Sequence, residues 1–418
     1  MRRRAVAWVG MAVAVLIAVA GPPAAQAIGR QQIRAEFNLV VNQIQSYGIP
    51  GGVVGVTGGR VGSYQRAFGV AQPGQAMQLS DHFRIGSVTK TFTATVILEL
   101  VDQNKLSLDT PIAKWEPNIP NAKRITIRML LGMRSGIWDE EGLGPEGQPS
   151  KLSQWIGENC KPKNPTPQCG MYWQPQQLID YAIQEAQPAY PPGRTYYYSD
   201  TNYMILGLIA HKVTGRPMGV LMKRMIFDRL HLTQTSFPTH QSQLPAPATA
   251  GYIPFPGQSP TSYIPGPVPS PSMFFGAGNI VSTLRDLRIW ARALGTGALL
   301  RPRTQRERVH LFPSGFGLFS LPGYGITTGL FGGYGLGIAA AGGMLGHNGE
   351  LSVPGYTADV WYAPRVRGTI VVLLNSNSLC NVGTLADSTA GTLATLGFGH
   401  QVLQGALGGL SPVACATI

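Results

Sequence analysis

Charged residues are scarce in this chain, 13% of 418, and acids are scarcer than bases, with 20 Asp and Glu against 33 Lys and Arg. The resulting +13 is scattered along the sequence, with no basic stripe and no nucleic-acid motif, which argues against a nucleic-acid partner. Cysteine is rare as well: there are four, none in a C-x-x-C pair, and the seven histidines do not cluster at ligand spacing, so a zinc site is not supported. No G-x-S-x-G elbow occurs, which argues against an α/β-hydrolase. Lysine is the scarcest basic side chain relative to its usual abundance, with nine in the chain. No internal repeat is visible.

What is present begins with a long apolar run at the N-terminus. "MRRR" is followed by "AVAWVGMAVAVLIAVAG" and then "PPAAQA", which places small residues at Ala25 and Ala27. This is the layout of a secretory signal peptide, and it predicts cleavage after Ala27, with an uncleaved anchor as the alternative. The mature chain would then be 28–418, secreted or held in the cell envelope. Its remaining charge of +10, once Arg2, Arg3 and Arg4 are removed, suits an anionic envelope surface or simply maintains solubility. Cysteine usage agrees with an oxidising compartment: Cys160 and Cys169 bracket a polar, Pro-containing loop, Cys380 and Cys415 lie near the C-terminus, and neighbour-with-neighbour pairing is the simplest arrangement.

Periodicity places an amphipathic helix in "IRAEFNLVVNQIQSYGIP", with apolar positions Ile33, Phe37, Val40, Val41 and Ile44, ending before Pro50. Two strands joined by Gly58-Gly59 follow. A helix runs to about Val101, and a short one lies in "ITIRMLLGMRSGI". From Trp138 to Tyr190 the chain reads as a loop-rich insert with one helix near "PQQLIDYAIQEA". "SDTNYMILGLIAHKVTG" reads as a helix capped by Ser199 or Asp200 and stopped by Gly215. Residues 238–275 are dense in Pro, Gly and Ser but also carry Tyr252, Phe255, Tyr263, Phe274 and Phe275, which suits a fixed loop over a cleft better than a linker. "NIVSTLRDLRIWARAL" is a helix capped by Ser282 or Thr283. Three antiparallel strands ("GYGLGIAAAGGMLGHNG", "GYTADVWYA" and "RGTIVVLLNS") and a last helix over 383–397 complete the order. The fold class is α+β: an antiparallel sheet built from both chain ends with flanking helices, and a mostly helical subdomain, roughly 104–295, inserted between the sheet segments.

Three stretches carry chemistry. In "RIGSVTKTFTATVILEL", Ser87 and Lys90 stand at i, i+3, on one helical face with Cβ atoms roughly 5–6 Å apart. Ser87 lies at the first turn, where free N–H groups and the positive dipole end favour a developing oxyanion. A serine hydroxyl needs a base, and a neutral, desolvated lysine can serve. In "YYYSDTNY", a tyrosine beside a helix cap is placed to be a third catalytic group, although its ordinary pKa of about 10 makes it a poor base unless a cation stabilises the phenolate. In "GHNGEL", His347 is flanked by glycines that let a substrate approach the backbone. Each stretch alone also fits a structural role: a surface lysine, a packed aromatic cluster, a structural histidine.

Together and in this order, the three resemble the serine β-lactamase and D-alanyl-D-alanine carboxypeptidase superfamily, in its class C β-lactamase-like branch. "PPGRTYYYSDTNYMILGLI", "GAGNIVSTLRDL" and "GHNGELSVPGYTADVWYAP" resemble further family stretches, and the likeness spans about Ile33 to Ala394. It implies a β-lactamase/transpeptidase-like fold and a catalytic set of Ser87, Lys90 and Tyr198. Ser87 would be acylated, Lys90 would take or relay its proton, and Tyr198, as the Y of Y-x-N, would activate Ser87 or water and protonate the leaving group. Asp200, His347, Gly349 and Glu350 would bind substrate. His347 stands where the family has Lys or His and would hold a substrate carboxylate, and the N–H groups of Ser87 and Glu350 would form the oxyanion hole. No cofactor or metal is implied.

One position departs from the pattern: Y-x-N has an amide where this chain has Asp200. An amide donates and accepts, whereas an ionised Asp only accepts. Beside Lys90 it would keep the proton on the amine, which shifts the base's work toward Tyr198. The expected activity is acyl-enzyme hydrolysis of a D-Ala-D-Ala-type peptidoglycan peptide or a β-lactam. The alternatives are a carboxylesterase of the same fold, acting on small esters, or a non-catalytic penicillin- or wall-binding protein.

Overall fold

The computed structural model describes residues 30–377 except 47, 60–61, 141–149, 186–189, 241, 255–262 and 313–332. The signal segment, the 383–397 helix, Phe255, Cys380 and Cys415 therefore lie outside the described residues.

The glycine- and valine-rich run after residue 50 forms β1 (Gly51–Gly58), which pairs antiparallel with β2 (Gly62–Gln72). β2 in turn carries the short β3 (Gln75–Ala76). A two-stranded ribbon, β4 (Phe83–Arg84) with β7 (Val281–Ser282), and a second, β5 (Tyr252–Pro254) with β6 (Tyr263–Pro265), lie outside the main sheet. The C-terminal region returns as β8 (Gly333–Tyr334), β9 (Ala339–Ala341), β10 (Met344–Leu351), β11 (Tyr356–Ala363) and β12 (Gly368–Leu374). The eight-stranded order is β3-β2-β1-β12-β11-β10-β9-β8, so strands from the two ends of the described chain meet at β1 and β12. The stretch read as one strand from 333 to 349 is three, because turns at 335–338 and 342–343 break it.

All of β11 and β12 is buried, as expected for strands covered on both faces. On one side α1 (Arg30–Ser46) buries Ile33, Phe37, Val41 and Ile44, with the Phe37 ring edge-on to Tyr64 at 5.1 Å. The remaining helices are α2 (Thr89–Asp102), α3 (Ile127–Leu131), α4 (Lys151–Asn159), α5 (Pro175–Glu185), α6 (Thr201–Thr214), α7 (Met218–Met222), α8 (Asp228–Leu230), α9 (Leu284–Thr296) and α10 (Pro302–Arg308). A π-helical turn over Lys223–Phe227 joins α7 to α8. The loop-rich insert thus holds a helix the periodicity missed. It is α4, short and capped by Ser150, whose Oγ accepts the Ser153 N–H at 3.0 Å.

α2 is apolar or threonine on nearly every side and is buried from Thr89 to Leu100, the pattern of a central helix. Its threonine hydroxyls do not waste their polarity: Thr91 donates to Val88 O, Thr95 to Thr91 O and Thr93 to Gly276 O. Trp290 of α9 stacks on Phe92 at 3.9 Å and donates its indole N–H to Thr91 Oγ1, which fixes α2 against the sheet side. Thr283 caps α9, and Asp286 in the first turn receives Gln234 N–H and Thr235 O–H. Within 238–275, Tyr252, Phe274 and Phe275 are buried, so this Pro-rich segment is anchored by its aromatics.

Candidate active site

A 3-10 turn at Gly86–Val88 leads directly into α2, so Ser87 sits two residues before the regular helix and Lys90 one turn further on. The i, i+3 spacing brings them together: Lys90 Nζ donates to Ser87 Oγ at 2.8 Å. Lys90 is fully buried, and its two other close partners are Asp200 Oδ1 at 2.7 Å and the carbonyl of Ala277 at 3.2 Å. The amine also lies 4.9 Å from the centre of the Tyr198 ring, within cation–π range.

Tyr198 comes from the irregular segment that precedes α6, and its phenol lies near enough to the Ser87 side chain to feel it. Burial and the charge of Asp200 raise it well above the usual phenol range. The Ser87 side chain works the other way, and the charge of Asp139 adds to the rise. Tyr198 is therefore a neutral phenol in the resting site. Asp200 occupies the N-cap position of α6 but in αR geometry and with no side-chain cap bond. Its carboxylate is spent on Lys90 instead of on its own helix. The helix is closed at the other end by Gly215, as expected.

His347 lies on β10 and is buried. Its Nε2 meets the Tyr334 hydroxyl at 3.1 Å, and its Nδ1 meets Asn348 O at 2.5 Å. Its ring centre is 6.3 Å from that of Tyr198. Burial, with Lys90 nearby, pushes its pKa down to about 3, against a weaker pull upward from Asn348 O. The imidazole is neutral and offers hydrogen bonding, not charge.

The backbone completes the site. β9 pairs only with residues Met344, Leu345 and Gly346 of β10, leaving the following edge of that strand to face the Gly86–Val88 turn. The approach is close enough to require glycine on both sides. A Cβ at Gly349 would sit 2.1 Å from Ile85 O and 2.9 Å from Ser87 N, and one at Gly86, whose φ is +49°, would sit 2.8 Å from Glu350 N. The amides of Ser87 and Glu350 are thus held side by side, the arrangement an oxyanion hole needs. Beyond Glu350 a cavity of about 290 Å³ is lined by Ser153 and Ile156 of α4, by Pro269 and Phe274, and by Leu351 and Val353. α4 ends at Cys160, which is disulfide-bonded to Cys169, and Cys169 O accepts the Ser270 N–H, so the bridge ties two walls of that cavity together. The Cys160–Cys169 pairing matches the expectation.

All seven residues singled out by the motifs lie in this one region. Four others were not visible in the sequence: Tyr334, the Ala277 carbonyl, Asp139 and Glu140. Asp139 Oδ1 accepts the Asp200 N–H at 3.0 Å, and Glu140 Oε2 accepts the Thr201 hydroxyl at 2.5 Å. The only hint was a "WDEE" acid cluster in a chain with few acids. Among the described residues no group of His, Cys, Asp and Glu is arranged to hold a metal ion.

A sequence profile of the Beta-lactamase family matches residues 37–387. The chain belongs to the Beta-lactamase family. It is 27% identical over 342 residues to "Putative penicillin-binding protein PbpX" of Bacillus subtilis (strain 168), covering 81% of this chain and 73% of that one. It is 24% identical over 353 residues to "Esterase EstB" of Burkholderia gladioli, covering 75% and 83%. Among solved structures it resembles a D-stereospecific amidohydrolase from Streptomyces sp., with a TM-score of 0.66, 27% identity and coverage of 82% and 94%. The family is one of serine hydrolases, and the relatives of this chain include an esterase, an amidohydrolase and a penicillin-binding protein; the antiparallel sheet with its helices matches the β-lactamase/transpeptidase fold.

Proposed function

We propose that this chain is an exported serine hydrolase that works through an acyl-enzyme on Ser87, with small esters and amides as its preferred substrates. The observation that carries the reading is the shared hydroxyl. Ser87 Oγ accepts from Lys90 at 2.8 Å with the Tyr198 phenol nearby, directly beside the paired amides of Ser87 and Glu350. A carbonyl oxygen seated on those amides exposes its carbon to Ser87. Lys90, once free of a proton, accepts the serine proton as the C–O bond forms. Tyr198, held as a neutral phenol, gives its proton to the leaving alkoxide or amine and is reprotonated from Lys90. Water then repeats the sequence on the acyl-enzyme and releases the acid.

The substrate preference rests on charge. A D-Ala-D-Ala peptide or an opened β-lactam presents a carboxylate, which needs a cation. Lys90 is already committed to Asp200, and His347 is neutral. Both features favour substrates without that carboxylate, and the EstB likeness is in keeping with this. A D-Ala-D-Ala peptidase or β-lactam-reactive protein is the second reading, favoured by the resemblance to the PbpX penicillin-binding protein. Export is supported by the N-terminal basic-apolar-small pattern and by the Cys160–Cys169 bridge, which suits an oxidising compartment.

The test compares wild type with Ser87→Ala on p-nitrophenyl acetate, a D-amino-acid p-nitroanilide and a fluorescent penicillin. Ester or anilide turnover lost in Ser87→Ala supports the proposal. Stable penicillin labelling with negligible turnover favours the second reading. Turnover that survives in Ser87→Ala contradicts both.

A further inference from the structure

Asp139 has no assigned task, yet it stands directly behind the catalytic cluster. Its loop, which follows α3, is stitched to the segment that carries Tyr198 and Asp200. Tyr197 N–H donates to Met133 O, Ser199 and Thr201 hydroxyls donate to Trp138 O, and Ser135 Oγ donates to Asn202 Oδ1. At the end of this seam the Asp200 amide donates to Asp139 Oδ1 at 3.0 Å, while the Asp200 carboxylate holds Lys90 at 2.7 Å. A second carboxyl thus stands directly behind the Lys90–Asp200 ion pair, and two like charges in one desolvated site resist ionising together.

We propose that Asp139 is a positioning residue that acts through Asp200. With a proton on Asp139, the Lys90–Asp200 pair is electrically balanced; without it, the extra negative charge strengthens the hold on the Lys90 amine and slows attack by Ser87. The inference rests on the hydrolase reading above. The groups facing Asp139 are Lys90 from α2, Asp200 and Tyr197 from the segment before α6, and Glu140 from its own loop. Burial first, and then the Asp200 charge, push the Asp139 carboxyl up to about 7; the Asp200 amide, Lys90 and Glu140 oppose this. The switch therefore falls near neutrality. The ionised carboxylate also adds to the rise at Tyr198 and at Tyr197.

Asp139 could instead serve only as an external cap for α6, accepting the Asp200 N–H. Asp139→Asn separates the two roles, because an amide oxygen still accepts that bond but carries no charge. In wild type, log kcat/KM for p-nitrophenyl acetate should climb with pH as the base is freed and level off near pH 7, where each new Asp139 carboxylate cancels the gain. In Asp139→Asn the climb should continue, and by pH 8.5 the variant should gain up to about thirtyfold on wild type relative to their ratio at pH 6. Asp139→Glu, which restores a carboxyl, should restore the break. Parallel wild-type and Asp139→Asn profiles, with hydrolysis still dependent on Ser87, overturn this inference alone. No Ser87-dependent hydrolysis in wild type overturns the hydrolase reading and this inference with it. Should Asp139→Asn fail to fold, carboxyl ¹³C resonances of aspartate-labelled wild type carry the test. One carboxyl titrating near neutrality in step with the kinetic break supports the inference, and none doing so overturns it.

Discussion

Lys90 Nζ lies 2.7 Å from Asp200 Oδ1, with the amine wholly buried and the carboxylate 15% exposed. Deleting one partner of such a pair strands a charge away from water, which costs about 3–5 kcal/mol. Asp200→Ala should therefore lower the denaturation free energy by roughly that amount and abolish ester turnover. Asp200→Asn restores the amide found in the family's Y-x-N pattern, with both a donor and an acceptor. It should fold with a smaller loss and acylate faster with a fluorescent penicillin, by up to about tenfold, the worth of one regained neutral hydrogen bond. An unchanged acylation rate contradicts the account of this departure.

Tyr198 lies beside the reacting hydroxyl, and the proposed mechanism assigns it the proton delivery. Tyr198→Phe keeps the ring against Lys90 and removes only the hydroxyl. The expected result is a fall in kcat of about 10²–10⁴, with KM little changed. Steady-state ester kinetics measure the split. A rise in KM at constant kcat would mean that the phenol only binds substrate.

His347 is buried and neutral, its pKa pushed from 6.5 down to about 3. The unfolded chain thus takes up the proton first as pH falls. The stability associated with the neutral ring is fully present above 6.5 and is lost progressively between about 6.5 and 3, by an amount on the order of a few kcal/mol. His347→Gln, which keeps a hydrogen-bonding side chain, should flatten that part of the curve. Urea denaturation at pH 7, 5.5 and 4.5 on both proteins gives the comparison. An identical acid dependence in the variant contradicts a buried neutral imidazole.

Gly349, by having no side chain, lets the Ser87 and Glu350 amides come together, the pair the proposed mechanism uses as its oxyanion hole. With a Cβ only 2.1 Å from Ile85 O, Gly349→Ala must force β10 away from the Gly86–Val88 turn. Loss of one oxyanion donor typically costs about 10²–10³ in kcat. The variant should show at least that loss, while its far-ultraviolet circular dichroism keeps the wild-type shape. Near-normal turnover would mean that the Glu350 amide has no part in the reaction.

How much of this was legible in the sequence depended on the range of the interaction. Ser87 and Lys90 face each other because of local helical spacing, and that pairing could be read directly. The α1 face of Ile33, Phe37, Val41 and Ile44 and the glycine-marked β1–β2 hairpin were legible for the same reason. The cap of α6 was misread in its chemistry. Asp200 stands at the cap position, but a lysine more than a hundred residues away outcompetes its own helix for the carboxylate. Asp139 was invisible because it sits in a loop without periodicity, and its partner amide is 61 residues downstream. Tyr334 could not be separated from a packing aromatic, since its hydroxyl bond to His347 depends on how β8, β9 and β10 fold back on one another.

The central claim, that Ser87 carries a covalent acyl group during turnover, is tested most directly by rapid acid quench of wild type with p-nitrophenyl acetate, followed by proteolysis and mass mapping. The account predicts one acetyl adduct, confined to the peptide containing Ser87, forming in a burst and missing from Ser87→Ala. An adduct on another residue, or sustained turnover with no adduct on that peptide, would contradict it.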